Sequence, residues 1–428
     1  MARLTGDARK GGAFEVLIED IGAQGDGVAR RSGAKLFVSL ALPDERVVVE
    51  KTASDRARVV TWRSESAARA KPPCRHFGVC GGCAAQHFRD DYYLRWKSSL
   101  IGEALAKRGL RDIEIVPLAR TPPGARRRAE FAARRGGKTF ELGFHAQGAP
   151  RIVDLEECKV LRPEIVALLP ALRDLLARLL PARATVDVHA TLSDTGIDLL
   201  LTGALGLDIA AREACAAFAH DTRIARLAWR RDARTPAETM AMGTQPRMRF
   251  GGVAIDLPPG AFLQASAEGE RAIVDAVMRA CAGARRVADL YAGCGTLLFP
   301  LAAQGARVRA VEGEADLVAA TDAAIRRGRL AGRLSVERRD LARRPLDGEE
   351  FDGLDAVIFD PPREGARAQA EALARSKVPL AVAVSCDSGS FARDARILVD
   401  GGYRLERVTP IDQFLWSPHL EVVGVFAR

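Results

Sequence analysis

The clearest fold signal in this sequence is the segment Asp289-Leu290-Tyr291-Ala292-Gly293-Cys294-Gly295-Thr296-Leu297. It follows a short apolar run and precedes a stretch with helical periodicity. Glycines let the backbone approach a bound ligand closely, and the start of the following helix presents free amide groups. From residue 285 onward, short apolar segments alternate with helical ones, which is typical of a doubly wound parallel sheet. We therefore predict a Rossmann-like domain whose glycine-rich turn binds a nucleotide.

The surroundings of this turn narrow the choice of nucleotide. Glu312 ends the next predicted strand, where a carboxylate can bind both ribose hydroxyls. The turn lacks the third glycine of the dinucleotide fingerprint and the Gly-Lys-Ser/Thr of a triphosphate site. These features favour adenosine with a small cationic tail, as in S-adenosylmethionine. The predicted cofactor contacts from this region are Tyr291, Gly293, Gly295 and Glu312.

Two further strand ends carry reactive groups. Asp360-Pro361-Pro362-Arg363 ends one apolar run, and Cys386 ends the next, just before a predicted helix. Doubly wound sheets bind ligands at this carboxyl edge. A helix N-terminus beside Cys386 would lower the thiol pKa toward the reactive range. The alternatives are a proline-stopped turn for the first segment and an inert buried cysteine for the second.

A thiol at this position suggests covalent catalysis on a pyrimidine. Carbon 5 of uracil is a poor nucleophile, whereas thiolate addition at carbon 6 makes an enolate whose carbon 5 can attack a methyl group. The carbon 5 proton must then be removed so that the thiol can leave, which requires a general base. Glu421 is our candidate and His419 is its rival. An outward carboxylate on an edge strand is the alternative for Glu421.

These motifs, in this order, resemble those of the bacterial RNA uridine-5-methyltransferase family, whose members modify 23S ribosomal RNA or transfer RNA. The resemblance covers nearly the whole chain. It implies that Cys386 is the nucleophile, that Glu421 is the base, and that Asp360 contacts the uracil edge as well as the cofactor. It also implies a cofactor contact for Gln264 and places Phe262 near the target base. That base would be flipped out of its stack.

The N-terminal residues 12–63 have the pattern of a small β unit, with candidate strands at residues 15–19, 35–38 and 46–50. The length and the glycine-punctuated turns fit an OB-like five-stranded barrel. By the resemblance, this unit looks like the TRAM domain, an RNA-binding barrel. The net charge of +9 suits a polyanionic partner, although an arginine-rich, GC-biased composition produces the same charge. Arg126-Arg127-Arg128 could hold RNA phosphates or form a solvated charge run.

Four cysteines have a spacing that suggests a metal centre: Cys74, Cys80, Cys83 and, much later, Cys158. Three clustered thiols and one distant thiol can close a four-cysteine site. The spacing is similar to that of the cysteines that hold a [4Fe-4S] cluster in the ribosomal-RNA members of the family. Zinc is the competing interpretation, although zinc ribbons usually supply two close cysteine pairs. The cysteines that we interpret as core residues are Cys215, Cys281 and Cys294.

The sequence thus predicts a multidomain α/β protein. Its parts are an OB-like TRAM barrel at residues 12–63, an α+β middle domain with the cysteine cluster at 72–262, and a doubly wound methyltransferase domain at 263–428. The barrel and cysteines favour 23S ribosomal RNA as the substrate. The alternatives are methylation of transfer RNA, a cytosine-5 methyltransferase, and a catalytically inactive RNA-binding iron–sulfur protein. Because neither a signal peptide nor a transmembrane helix is predicted, we expect a cytoplasmic protein with RNA as its partner and no membrane or obligate protein partner.

Overall fold

The computed structural model describes residues 12–137 and 139–428. The chain divides into two compact units. One comprises the residues up to Lys97 together with Trp416–Pro418, and the other comprises Ser98–Leu415 and His419–Arg428. The division into three domains remains a prediction. Among the described helices, none has the length and apolar character needed to cross a membrane.

The first unit contains a six-stranded sheet. Its strands are β1 (Phe14–Leu17), β2 (Asp20–Ile21), β3 (Gly27–Arg31), β4 (Ala34–Ser39), β5 (Arg46–Lys51) and β6 (Arg56–Ser64). The spatial order is β1-β5-β6-β4-β3-β2, and only β4 and β6 pair in parallel. Alternate side chains such as Val47 and Val49 are buried in its core, as expected for strands with one covered face. The three predicted strands are confirmed, whereas the TRAM-type barrel remains a prediction.

Helix α1 (Asp90–Ala106) leads from the first unit into the second, which begins with two short strands that pair with a strand near the end of the chain and continues with a seven-stranded sheet and two helices. The elements in chain order are β7 (Glu114–Ile115), β8 (Ala119–Arg120), β9 (Arg128–Arg135), β10 (Phe140–His145), β11 (Ile152–Asp154), α2 (Pro163–Leu179), β12 (Thr185–Ser193), β13 (Gly196–Thr202), α3 (Ile209–Thr222), β14 (Arg226–Arg230) and β15 (Glu238–Met242). The sheet order is β11-β10-β9-β12-β13-β14-β15. Leucines spaced three and four residues apart along α2 share one core with the sheet and α3.

The rest of the second unit holds the parallel sheet that the sequence predicts. After a hairpin of β16 (Arg247–Phe250) and β17 (Val253–Asp256), its elements are α4 (Ala267–Ala280), β18 (Arg286–Leu290), α5 (Leu298–Ala303), β19 (Arg307–Glu312), α6 (Ala315–Arg327), β20 (Leu334–Arg338), β21 (Ala356–Phe359), α7 (Arg367–Arg375), β22 (Leu380–Ser385), α8 (Ser388–Asp400), β23 (Arg404–Asp412) and β24 (Glu421–Ala427). The sheet order is β20-β19-β18-β21-β22-β24-β23-β7, and β8 also pairs with β23. The predicted α/β class and the antiparallel pair at the end of the chain are confirmed.

This topology brings the candidate residues to one edge. The chain runs outward from β18 to β20 and then returns to β21, so β18 and β21 flank the switch point where such sheets bind ligands. β24 is antiparallel to β22 and β23, so β24 begins where those strands end. Glu421 pairs with Ile411, and Val422 pairs with Ser385. The carboxyl ends of β18, β21, β22 and β23 therefore lie at the same edge of the sheet as the start of β24.

Candidate active site

The glycine-rich turn joins β18 to α5 in a backbone conformation that requires glycine. Gly295 has φ +82°, and a Cβ added there would lie 2.6 Å from the ring of Phe299. Gly293 has φ +55°, and an added Cβ would enter open space. Tyr291, a non-glycine residue, also adopts a left-handed φ of 61°, a strained geometry that clusters at functional sites. The turn is therefore a close-packed loop with an open side at Gly293.

Glu312 is the carboxylate that ties this turn to the neighbouring strand. It is the last residue of β19 and is largely buried. One carboxylate oxygen accepts the Gly293 N–H at 2.8 Å, and the other accepts the Glu314 N–H at 2.8 Å. Each oxygen retains a lone pair for a further donor. The structure thus places Glu312 beside the turn, as the predicted sugar contact requires.

Asp289 is a buried carboxyl group beneath the turn whose charge state sequence reasoning did not anticipate. It is 1% exposed, and its Oδ2 atom has no hydrogen-bond partner within the described part of the chain. Burial, with smaller contributions from the negative charges of Asp360 and Glu312, raises its pKa to about 8. Asp289 is therefore mainly protonated at neutral pH.

Two glutamines connect the two carboxyl groups that the sequence singles out. Gln264 donates to Asp360 Oδ2 at 3.0 Å. Gln413 donates through Nε2 to Gln264 Oε1 at 2.8 Å and to Glu421 Oε2 at 2.6 Å. We call these four residues the carboxyl–amide network. The structure brings Asp360, Gln264 and Glu421 together as predicted, and it adds Gln413, which the sequence analysis missed.

The two carboxyl groups of this network have raised pKa values. Burial is the main cause in both, and the nearby Asp360 carboxylate also raises the pKa of Glu421. The amide donors act in the opposite direction, because Gln264 and Gln413 stabilise the ionised carboxylates. A general base with a raised pKa is suited to accept a proton near neutral pH.

Cys386 follows β22 directly and is half-buried. Its pKa is raised to about 12, first by burial and then by the negative charges of Glu421 and Asp360. The expectation of a lowered pKa is therefore wrong. α8 does begin beside the thiol, but its N-terminus is capped by Asp387, which accepts the Ser390 N–H at 2.8 Å and adds another negative charge. The thiol is protonated in this state of the protein.

Phe262 lies two residues before Gln264 with its ring 54% exposed. The guanidinium of Arg128 lies 4.2 Å from the ring centroid and donates to the Leu263 carbonyl at 2.8 Å. This cation–π contact fixes the ring at the surface of the site. An exposed, immobilised aromatic ring is suited to stack against a base.

The basic run at residues 126–128 is largely structural. Arg127 is buried, forms an ion pair with Glu270, and donates to the Gln264 carbonyl at 3.0 Å. Arg126 stacks on Phe414 at 5.8 Å from the ring centroid. The interpretation of this run as a phosphate-binding segment is wrong for Arg127, because its side chain is buried and paired with Glu270.

The structure also shows the surroundings of His419, the alternative base, and of the three cysteines predicted to lie in the core. His419 is half-buried, with its ring edge-on to Phe414 at 6.1 Å between centroids. Burial raises the pKa of Cys215 to about 11 and those of Cys281 and Cys294 to about 12. The prediction that these three cysteines are core residues is confirmed.

The cysteines predicted to hold a cluster lie in two different parts of the chain. Cys74, Cys80 and Cys83 are half-buried between β6 and α1, in the first unit, and Cys158 follows β11 in the second. Within the described residues, no group of three or more His, Cys, Asp or Glu side chains is arranged to hold a metal ion. The structure therefore does not show the predicted cluster site, which stays a prediction.

One buried histidine lies next to the first three cysteines in the sequence. The ring of His87 lies 5.3 Å from that of Phe77, between centroids, and Phe77 belongs to the same loop as Cys74 and Cys80. Its two ring nitrogens are buried without a hydrogen-bond partner in the described residues. Its pKa is lowered to about 3, mainly by burial, so the ring is neutral.

Comparison with known proteins identifies full-length relatives. No protein-family model matches the chain. An uncharacterized RNA methyltransferase of Brucella suis biovar 1 is 43% identical over 414 residues, covering 97% of this chain and 98% of the relative. The 23S rRNA (uracil(1939)-C(5))-methyltransferase of Halomonas elongata is 33% identical, covering 96% of this chain and 88% of the relative.

A solved structure shares the fold. The Pyrococcus abyssi tRNA (uracil-54, C5)-methyltransferase, determined in complex with S-adenosyl-L-homocysteine, superposes with a TM-score of 0.74. The match covers 96% of this chain and 99% of that chain at 21% sequence identity. At this identity the similarity establishes a common fold.

Proposed function

This chain belongs to the RNA methyltransferase family of these relatives, and we propose that it methylates carbon 5 of a uridine in 23S ribosomal RNA. The observation that carries the proposal is the convergence of Cys386, Asp360 and Glu421 at the sheet edge that also holds the glycine-rich turn. The Halomonas relative supports the choice of uracil and of 23S ribosomal RNA. S-adenosylmethionine would supply the methyl group.

In the proposed reaction, Cys386 and Glu421 act in sequence on the same base. The Cys386 sulfur adds to carbon 6, and the electron pair of the carbon 5–carbon 6 double bond moves into an enolate. Carbon 5 would then take the methyl group, and the electron pair of the sulfur–methyl bond that breaks would stay on the cofactor's sulfur, leaving S-adenosylhomocysteine. Glu421 accepts the carbon 5 proton, the carbon–hydrogen electron pair re-forms the double bond, and the carbon 6–sulfur bond breaks to release the thiolate.

The Cys386 thiol must lose its proton for its sulfur to attack carbon 6. Because the pKa of Cys386 is raised to about 12, the sulfur carries its proton in the resting protein. The negative charges of Glu421 and Asp360 act on this thiol, and the raised pKa of Asp360 suits it to accept the thiol proton. Proton transfer to Asp360 would accompany the attack on carbon 6, which leaves Glu421 free to accept the carbon 5 proton.

The remaining site residues would position the base and the cofactor. Phe262, fixed by Arg128, offers an exposed ring on which the flipped uracil would stack. Asp360 has its Oδ2 atom bound to Gln264 and would offer its other oxygen to the uracil edge or the cofactor. Tyr291 and Glu312 would contact the cofactor beside the open face of the turn.

The six-stranded sheet of the first unit would act as a TRAM-like RNA-binding module. Support comes from its size, its strand alternation and the basic residues along β3 and β4. Arg31, for example, stacks on Phe14 at 3.5 Å from the ring centroid. RNA bases commonly stack on aromatic rings and on arginine guanidinium planes.

We further propose that Cys74, Cys80, Cys83 and Cys158 bind a [4Fe-4S] cluster with a structural role. The support is their spacing in the sequence, three clustered cysteines and one distant cysteine. Protein purified without oxygen should contain about four irons and four sulfides per chain and absorb broadly near 400 nm. Stoichiometric zinc without iron would contradict this proposal.

The proposed activity is tested by methyl transfer from labelled S-adenosylmethionine to unmodified 23S ribosomal RNA and, separately, to unmodified transfer RNA. Mass spectrometry of the nucleosides identifies the product. The proposal predicts 5-methyluridine in 23S ribosomal RNA alone. The same product in transfer RNA alone would overturn the substrate, and 5-methylcytidine would overturn the choice of base. No product in either RNA, from protein that binds RNA tightly, would favour the inactive binding protein.

A further inference from the structure

Gln413 occupies the centre of the carboxyl–amide network, and a backbone group sets the direction of its amide. Its Oε1 atom accepts the Ala265 N–H at 3.0 Å. A backbone N–H can only donate, so the oxygen end of this amide must face Ala265. The Nε2 end must therefore face Gln264 and Glu421.

The orientation of the Gln413 amide determines which hydrogen-bond donors face the two carboxyl groups. Gln413 presents N–H donors to Gln264 Oε1 and Glu421 Oε2, so Gln264 in turn presents its own amide nitrogen to Asp360. One oxygen of each carboxyl group is thereby occupied. For the other oxygen, Oε1 of Glu421 and Oδ1 of Asp360, no hydrogen-bond partner is found within residues 12–137 and 139–428.

The position of Gln413 is enforced by packing as well. The residue is 2% exposed and lies against the first turn of α4. A Cβ added at Gly269 in that turn would lie 2.6 Å from Gln413 Cβ and 2.8 Å from its Oε1. A glycine at position 269 is therefore what lets the amide reach Ala265 and Glu421 together.

We propose that Gln413 is a positioning residue that holds Glu421 in the orientation in which its Oε1 atom accepts the carbon 5 proton. This inference rests on the proposed function, in which Glu421 is the general base. The amide donors also favour the ionised form of the carboxylate that a base requires. Gln413 would thus act on the resolution of the covalent adduct and not on its formation, which depends on Cys386.

The charged surroundings of Glu421 make the pH dependence of that step informative. The titratable groups near Glu421 are Asp360 after β21, Cys386 after β22, Asp412 at the end of β23, and His419 two residues earlier. Loss of the Gln413 donor would raise the pKa of Glu421. The acid limb of the resolution rate would therefore move to higher pH.

The test is a rapid-quench single turnover of full-length protein with unmodified 23S ribosomal RNA, comparing the wild type with Gln413→Met. Methionine keeps the length and volume of glutamine but has no amide. The variant should form the adduct at close to the wild-type rate and resolve it about 10- to 100-fold more slowly, with a shifted acid limb. The matched control is Gln369→Met, which removes a buried amide bound only to the Leu346 backbone and should leave resolution unchanged.

A second variant covers the case in which Gln413→Met does not fold. Gly269→Ala displaces Gln413 without changing its chemistry and should slow the same step. Normal resolution with an unshifted acid limb, in whichever variant folds, would overturn the inference while an active wild type preserves the proposed function. A wild type that makes no 5-methyluridine would overturn both.

Discussion

The thiol and the base lie at adjacent strand ends, yet their surroundings differ. Glu421 receives a 2.6 Å hydrogen bond from an amide whose direction the backbone fixes. Burial, together with the negative charges of Glu421 and Asp360, raises the pKa of Cys386 to about 12 and keeps the thiol protonated. In the proposed reaction, Gln413 would therefore orient Glu421 to remove the carbon 5 proton, whereas the Cys386 thiol would first have to lose its own proton. A protonated thiol is also less susceptible to adventitious oxidation than a thiolate.

The largest expected effect comes from removing the nucleophile. Cys386→Ala should lower the methyl-transfer rate by at least about 10⁴-fold, because the proposed bond to carbon 6 is formed by the Cys386 sulfur. The rate is measured with labelled S-adenosylmethionine and 23S ribosomal RNA. Cys215→Ala, which removes a buried cysteine of the middle sheet and helix core, should retain activity. Retained turnover in Cys386→Ala would remove Cys386 from the mechanism.

Removing the base should separate the two halves of the reaction. Glu421→Gln should form the covalent adduct but resolve it about 10²- to 10⁴-fold more slowly, because the amide cannot accept the carbon 5 proton. The adduct is followed as a protein–RNA complex stable in denaturing gels. Glu406→Gln, an exposed carboxylate on β23, serves as the control. A normal rate of release in Glu421→Gln would point to His419 or water as the base.

The low reactivity expected of the protonated Cys386 thiol can be measured without RNA. Alkylation of Cys386 by iodoacetamide should be slow near neutral pH and rise steeply above about pH 9, because only the thiolate reacts. Glu421→Gln should speed alkylation at alkaline pH by about 3- to 10-fold, since removal of the negative charge lowers the thiol pKa. Mass spectrometry of the peptide that contains Cys386 gives the rates. Fast, pH-independent alkylation would show that the thiolate is already formed.

The smallest expected effect concerns Asp289, a buried carboxyl group that lacks the side-chain amide donors of Asp360 and Glu421. The folded protein keeps its proton up to about pH 8, whereas the unfolded chain loses it near pH 4, so stability falls as pH rises through this window. Between about pH 5 and pH 8, the free energy of unfolding should decrease by about 1–3 kcal/mol less in Asp289→Asn than in the wild type. Urea unfolding at several pH values measures it. Parallel pH profiles for wild type and variant would show that Asp289 is ionised when folded.

Much of the fold and the outline of the site follow from local patterns. Apolar runs ending in Asp360, Cys386 and Glu312 predict the parallel strands, and parallel strands necessarily bring their carboxyl ends to one edge. The pairing of β7 and β8 with β23 was not predictable, because residues about three hundred positions apart meet there. Two-residue strands carry no periodic signal.

The site features that the sequence did not predict depend on contacts between residues far apart in the chain. Gln413 reaches Gln264 across 149 residues, and only the proximity of Gln413 to Glu421 in the sequence hinted at a role. The pKa of Cys386 depends on two carboxylates from other strands, which the adjacent helix start does not reveal. Arg127 looks like a solvated charge in the sequence but forms a buried ion pair.

The most direct test of the account is covalent trapping at Cys386. Wild-type protein is incubated with 23S ribosomal RNA containing 5-fluorouridine and with methyl-labelled S-adenosylmethionine, and the protein–RNA complex is digested and sequenced by mass spectrometry. Fluorine at carbon 5 cannot be removed as a proton, so the account predicts a stable, methyl-labelled adduct on the peptide that contains Cys386. An adduct on another residue, or none from protein that methylates normal RNA, would contradict it.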